Sequence, residues 1–523
     1  RSTPLYSSAA SDVYKRQQMR YRMFYFVGNN IGQKITGIEK AIINRLNLFK
    51  ENKYSSKVIL LAWNRYLTDT ASNYLMHEDY INMYDYFQEA TQVTINIESI
   101  NSKNWLHDWQ HDCGYTIKYV EHSNDVRVYD GNNFIMYAHF TDETYKKLDY
   151  LNYFDTSRRK IKRELYDTRG FLSCTRILST DQKIQSEFYY SPQKEVKLEK
   201  YYDIDSNEPN IAKKILLHHQ GRTYFFNNDT ELSAFFIEQI YCSGDLFFSD
   251  RNLISSHVFN STIHTIPVVA VLHSTHVKDI NDLMHSRIKN VYKGVFDHLK
   301  RYKAIVVSTE QQAEDVRHRI KDCIPVYAIP VGFSESTSQH NIGYTSQKLI
   351  SVARYSPEKQ LEQQIKLVSK LKGLFPKIEL HLYGFGPEES KLKTLINDYH
   401  VENHVFLRGF LNDLTEEFKT AYVNLITSNM EGFSLALLEA QSHGVPSISY
   451  NIKYGPGELI IPDYNGSLVE FNNEDQLYET VKALLEEPEL QQKYAQNSIE
   501  SSKNFSKDAI INRWQQLIND INT

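Results

Sequence analysis

The hydrophobic pattern of the chain has two rhythms, and the change between them divides it. Residues 21–27 (YRMFYFV) and 57–63 (KVILLAW) are short, nearly unbroken apolar runs, as expected of strands buried on both faces of a parallel sheet. Between them Ile38, Ala41, Ile42, Leu46 and Phe49 recur at helical spacing. From 80 to 226 the period changes. Alternating runs at 92–97, 116–119, 126–129, 134–140, 170–178, 187–190, 195–198 and 222–226 are separated by turn signals such as Asp130-Gly131-Asn132 and Gln220-Gly221, which predicts an antiparallel meander. After 226 the first rhythm resumes, with strands predicted at 245–249, 268–272, 304–308 and 326–329 and helices at 232–241, 290–299 and 310–320. A polar stretch at 334–346 lacks any apolar period and reads as a linker. Beyond it, strands at 348–352, 379–383, 405–406, 421–428 and 447–450 alternate with helices, such as 360–375 and 388–399, to the end.

The pattern predicts an α/β chain: two doubly wound, Rossmann-like domains facing a cleft, with a β-rich antiparallel insertion in the first. The N-terminal domain is expected at 19–79 and 227–335, the insertion at 80–226 and the C-terminal domain at 336–505. A final helix at 506–523 is expected to cross back to the N-terminal domain. Residues 1–18 are polar, lack an apolar core and read as a non-native leader.

Composition narrows the function without naming it. At 523 residues the chain needs more than one core. A net charge of -5 argues against a nucleic-acid-wide basic field. Cys113, Cys174, Cys242 and Cys323 have no paired spacing, which fits a reducing compartment and gives no metal pattern. No run approaches the ~20 apolar residues of a membrane span, which leaves peripheral membrane contact open.

The candidate chemistry stands just past the predicted parallel strands, at the edge where such sheets bind ligands. Arg354 and Lys359 flank a Ser-Pro turn and place two cations beside a helix start, a clamp for a diphosphate. Glu431-Gly432-Phe433-Ser434 forms a small-residue turn into a helix whose N-terminus suits an anion, and Glu439 lies further along that helix. Glu431 is placed to accept from sugar hydroxyls and Glu439 from a ribose diol. His273 ends a buried strand of the other domain, within reach of a reacting sugar, and His276 is a weaker candidate of the same kind. Gly37, in the turn before the first helix, admits close approach of a leaving phosphate.

The Arg354–Lys359 spacing, the Glu431–Glu439 pair and the loop histidine together resemble the retaining GT-B glycosyltransferases (glycosyl transferases group 1) that use nucleotide-diphosphate sugars. Ile452-Lys453-Tyr454-Gly455-Pro456, Thr36-Gly37-Ile38-Glu39 and the β-rich insertion are similar to the poly(glycerol/ribitol-phosphate) α-glycosyltransferases of Gram-positive teichoic-acid synthesis, and to the accessory-Sec O-GlcNAc transferases that modify serine-rich adhesins. Thr36 departs from the double-glycine loop found at this point in such families. The resemblance implies a metal-independent, retaining hexosyltransferase that needs no cofactor and takes a UDP-sugar, UDP-glucose first, as co-substrate. It implies catalytic roles for His273 and Glu431, diphosphate contacts from Arg354, Lys359 and Gly37, and ribose or sugar contacts from Glu439, Gly432, Phe433 and Ser434. The implied acceptor is a teichoic-acid polymer or a Ser-rich protein, with no nucleic acid, in the cytoplasm at the inner face of the membrane. Homo-oligomerisation or partner docking is implied through the β insertion. A polyanionic acceptor needs a basic groove, for which Lys194, Lys197, Lys200, Lys213 and Lys214 are candidates. The reading from another class is a non-catalytic, acceptor-binding partner subunit.

Overall fold

The computed structural model describes residues 23–95, 97–262, 266–334 and 347–522. The expected leader at 1–18 and all but the first residue of the expected linker at 334–346 lie outside the described residues. The N-terminal domain is built on a seven-stranded, all-parallel sheet. Its spatial order is Val326–Ala328, Ala304–Val307, Val268–Val271, Leu246–Ser249, Phe24–Gly28, Ser56–Leu60 and Tyr80–Asn82. The central strand Phe24–Gly28 explains why these runs are apolar throughout. Phe24 and Phe26 enter one core with Leu46 and Phe49 of the helix Gly37–Glu51, while Tyr25 and Val27 enter another on the opposite face.

The insertion is a ten-stranded antiparallel sheet in simple sequence order from Thr116–Tyr119 to Arg222–Phe226. Its inner half shares a core with the N-terminal sheet, where Leu165, Cys174, Tyr189, Leu198 and Leu217 pack with Tyr25 and Phe247. Its outer half has its own small core around Trp109, Val126, Phe140 and Leu151. Two expectations change here. Tyr80–Asn82 is the edge strand of the parallel sheet and Met83–Phe87 a helix in its core, so the meander does not start at residue 80. The run 92–97 forms no strand among its described residues, and Ile97–Ser102 is a helix that tucks Ile100 against Gly170. Without a neighbouring strand to pair with, the local alternation yields to that tertiary contact.

The C-terminal domain holds a six-stranded parallel sheet, ordered Val405–Gly409, Glu379–Tyr383, Lys348–Val352, Val423–Ile426, Ser447–Tyr450 and Gly466–Val469. The last helix, Lys507–Asn522, packs on the N-terminal domain. The Trp514 ring meets Phe49 and Phe248 edge-on at 5.9 and 5.4 Å, and Lys507 pairs with Glu51 at 2.9 Å. The carboxyl ends of both parallel sheets face one interdomain seam, where Lys40, Gly332 and His273 of one domain meet Glu439, Leu435 and Gly432 of the other.

Candidate active site

On the C-terminal side, the strand Val423–Ile426 delivers Thr427 and Ser428, both buried, to the loop that carries Glu431. The short turn Pro357–Lys359 brings Lys359 against it. Lys359 Nζ lies 2.6 Å from Glu431 Oε1, and Ser428 Oγ donates to the same oxygen at 2.7 Å. The Thr427 hydroxyl donates to the Lys359 carbonyl at 2.9 Å, which fixes the lysine's backbone. Arg354, on the same turn, is more exposed and pairs with Glu358. Ser434 adopts a left-handed conformation (φ 74°) and starts the helix Leu435–Ser442 without a side-chain cap. The first N–H groups of that helix therefore look to a ligand or solvent for acceptors.

On the N-terminal side, the helix Gly37–Glu51 begins in a capping arrangement in which the Thr36 N–H donates to the Glu39 carboxylate at 3.0 Å, and Arg251 pairs with Glu39. Space beside the Gly37 α-carbon is open. Lys40, one turn on, reaches across the seam to pair with Glu439. His273 Nε2 lies 2.8 Å from Asp250 Oδ1, and the other Asp250 oxygen pairs with Arg45. The Arg45 guanidinium lies over the rings of Phe26, Phe248 and Trp514 at 4.4, 5.1 and 5.1 Å. The backbone N–H groups of His273 and Ser274 both donate to the Tyr292 hydroxyl, at 3.0 and 2.9 Å. The histidine is thus fixed through ring and peptide alike, with Asp250 occupying Nε2 and leaving Nδ1 for other partners. Asp250→Ala would strand a buried guanidinium, and we expect it to cost about 3–5 kcal/mol in urea unfolding.

The two sides touch at Gly432. A β-carbon there would overlap the His273 carbonyl oxygen and lie 2.8 Å from the carbonyl carbon. From the other side, the Tyr454 N–H donates to the Glu431 carbonyl at 3.3 Å. The Tyr454 hydroxyl and Lys453 Nζ reach Asp315 of the N-terminal helix Glu310–Ile320 at 2.8 and 3.0 Å. The Glu431 loop is therefore braced by both domains.

The geometry brings Lys359, Glu431, Gly432 and His273 into one place, and Glu439 and Gly37 onto the same seam through the first helix. Phe433 differs from its expected role. Its ring is 2% exposed and packs on Phe505 at 5.6 Å, so only its peptide can meet a ligand. His276 is fully buried, stacked on Phe296 at 5.8 Å, with both ring nitrogens unpartnered, and burial pushes its pKa down to about 4. It packs in the core and meets no ligand. Because the folded protein holds this imidazole neutral while the unfolded chain protonates it below about 6.5, its contribution is present above that pH. It is lost as pH falls towards 4, by at most about 3 kcal/mol. Thermal midpoints at pH 7 and pH 5 should converge in His276→Phe relative to the parent. Lys40, Asp250 and Asp315 were missed by the sequence reading. Asp250 alone had a signal, since it directly follows the strand Leu246–Ser249. Among the described residues no group of three or more His, Cys, Asp or Glu is gathered as for a metal ion, and no helix is long and apolar enough to cross a membrane.

Comparison with known proteins agrees with this architecture. Residues 333–501 match the family model described as glycosyl transferases group 1. The poly(glycerol-phosphate) alpha-glucosyltransferase of Bacillus subtilis (strain 168) is 23% identical over 534 residues, covering 98% of this chain and 77% of that protein. The GtfA subunit of the UDP-N-acetylglucosamine–peptide N-acetylglucosaminyltransferase of Streptococcus parasanguinis is 26% identical over 358 residues, covering 65% and 70%. Among solved structures, a variant of S. aureus TarM in complex with UDP superposes with a TM-score of 0.82 at 17% identity, covering 95% of this chain and 100% of that one. The pneumococcal O-GlcNAc transferase GtfA, in complex with UDP and GlcNAc, gives 0.76 at 20% identity, covering 96% and 99%. The chain therefore has the GT-B fold, and its residues 333–501 are similar to the glycosyl transferases group 1 family.

Proposed function

We propose that this protein is a retaining glycosyltransferase that moves an α-linked hexose from a UDP-sugar, UDP-glucose first, to the polyol-phosphate chain of a teichoic acid. The observation that carries the reading is the Lys359–Glu431 pair set against His273 across Gly432. Lys359, Arg354 and the N-termini of the helices Leu435–Ser442 and Gly37–Glu51 supply positive charge where a departing UDP gains negative charge. No metal is needed in this scheme. The bond from the sugar's anomeric carbon to the β-phosphate breaks. The acceptor oxygen bonds to that carbon on the same face, and its proton passes to a β-phosphate oxygen. Glu431 orients the sugar and holds Lys359 in register. Glu439 exchanges Lys40 for the ribose hydroxyls.

The acceptor assignment draws support from the named activity of the Bacillus relative. It also draws on the insertion, where three of the five expected lysines are engaged while Lys194 and Lys214 are exposed. Lys200 is buried against Asp229 and Tyr84, Lys197 sits between Glu89 and Glu195 at 2.9 Å from each, and Lys213 pairs with Glu208. Instead Arg127, Tyr137, Asn152, Arg163 and Arg176 occupy directly opposed positions on five adjacent strands. Arg127 and Arg163 make no ion pair among the described residues, which suits a polyanion. The second reading, UDP-GlcNAc-dependent O-glycosylation of Ser or Thr in a serine-rich adhesin, is favoured by the GtfA relatives and by a GtfA/B complex of similar fold, TM-score 0.76, in which GtfA has a partner. Such a partner would dock on the ten-stranded sheet.

The test is UDP release with UDP-glucose, UDP-GlcNAc and UDP-galactose, each offered glycerol-phosphate polymer or Ser-rich peptide. Polymer-dependent turnover supports the first reading and peptide-dependent turnover the second. UDP binding without turnover on any pair leaves a non-catalytic acceptor-binding subunit.

A further inference from the structure

We propose that Lys289 forms a subsite in the cleft for a phosphate group of the acceptor, beside the Glu431 loop. The inference rests on the transfer reading above and adds what the acceptor must carry next to the hydroxyl that reacts.

Lys289 is placed by a closed loop. The chain leaves the strand Val268–Val271 through His273, runs out, and returns as Val277 bridges Ile288 in antiparallel fashion. The Lys278 N–H donates to the Arg287 carbonyl and the Lys289 N–H to the His276 carbonyl, each at 2.9 Å. That base is covered by His276, fully buried, and Thr275, 2% exposed. The side chain of Lys289 leaves this firm anchor with its ammonium on Thr275 Oγ1 of its own domain, and meets the other domain at the sulfur of Met430, 3.3 Å away. Met430 is the residue immediately before Glu431, so the ammonium stands at the reacting loop from the acceptor side.

Its partners are the unusual feature. A hydroxyl and a thioether are neutral, and the thioether accepts weakly. Among the described residues no carboxylate lies within ion-pair reach of Lys289. Burial alone depresses its pKa, with no neighbouring charge to offset the loss of water. A half-buried cation without a counter-charge costs free energy, and functional sites are where such costs are tolerated. The carboxylates along the seam are committed elsewhere: Glu431 to Lys359, Glu439 to Lys40 and Asp315 to Lys453 and Tyr454. An incoming anion is thus the missing partner.

The reaction supplies two kinds of anion. The donor's diphosphate is met by Arg354, Lys359 and the uncapped helix start of the C-terminal domain, on the opposite wall. The remaining anion is a phosphodiester of the acceptor, which a polyol-phosphate chain carries on either side of each polyol and an unmodified Ser-rich peptide lacks. Lys289 would then set the register of the polymer, so that one polyol hydroxyl comes to the anomeric carbon.

The experiment compares the parent protein, Lys289→Gln and Lys289→Arg with oligo(glycerol phosphate) and with free glycerol as acceptors, alongside UDP binding by calorimetry. We expect Lys289→Gln to raise KM for the oligomer about 10- to 100-fold, the loss of one charge-assisted hydrogen bond, with kcat little changed. Turnover with glycerol and the Kd for UDP should match the parent, and Lys289→Arg should recover most of the oligomer KM. An equal loss with glycerol, a weakened UDP Kd or an unchanged oligomer KM would each overturn the proposal. If the parent turns over neither acceptor, the transfer reading fails by itself. The subsite is then decided by NMR titration of glycerol 3-phosphate into UDP-saturated protein, where binding lost in Lys289→Gln upholds it and binding that is absent or unaffected overturns it.

Discussion

Lys359→Ala is expected to lower kcat by about 10³ and to weaken UDP binding, while the folded state survives. One preorganised donor aimed at developing charge contributes about 10²–10³ in rate. Two features of this lysine put it at the upper end. Its ammonium is largely shielded from water, with the side chain 19% exposed, so its field at a departing phosphate is less screened than that of Arg354, at 56%. It is also the cation that Glu431 faces at 2.6 Å. Removing it leaves a largely buried carboxylate with the Ser428 hydroxyl for company, which disturbs the group proposed to orient the sugar. Glu431→Gln should cost less in UDP affinity, because the lysine remains, and as much in kcat. Single-turnover kinetics with a thermal melt on the same samples make the check. A Lys359→Ala protein with kcat within tenfold of the parent would sink the assignment.

What the sequence made legible follows from which interactions are local. The parallel strands were readable because both faces are buried, so Val268–Val271 is apolar at every position and Leu246–Ser249 at all but its last. The positions of His273, Glu431 and Lys359 were readable because chain topology sends every strand's carboxyl end to the same edge. The partners were not. Lys40 meets Glu439 across a sequence separation of 399, and Lys359 meets Glu431 across 72; nothing in either local pattern encodes such a pairing. The same holds in the insertion. Leu148–Phe154 and Lys160–Tyr166 mix aromatic and charged residues on both faces, because one face packs on the N-terminal domain for only part of its length. A two-residue period therefore breaks down although the two strands pair along their length, with one register shift between Tyr153 and Phe154.

Gly432→Ala is expected to lower kcat about 10²-fold with little change in UDP affinity. The added methyl would overlap the His273 carbonyl oxygen, and that obstacle is backbone held by Tyr292 through two N–H groups, so it cannot swing aside. Relief requires the Glu431 loop to back away or the domains to part by about 1 Å, and a misplacement of that size costs about 10²-fold in a reaction that depends on alignment. Lys359 and Arg354, the proposed diphosphate contacts, lie on the same domain as Gly432 and move with it, so UDP should still bind. What is lost is the meeting of the sugar, held from one wall, with His273 and the acceptor on the other. Gly373→Ala, where an added methyl meets nothing within 4 Å, is the matched control and should behave as the parent. If Gly432→Ala turns over within threefold of the parent, the contact between Gly432 and His273 is not part of the reactive arrangement. If kcat falls while UDP binding holds, the two walls must close to this distance for the sugar to move.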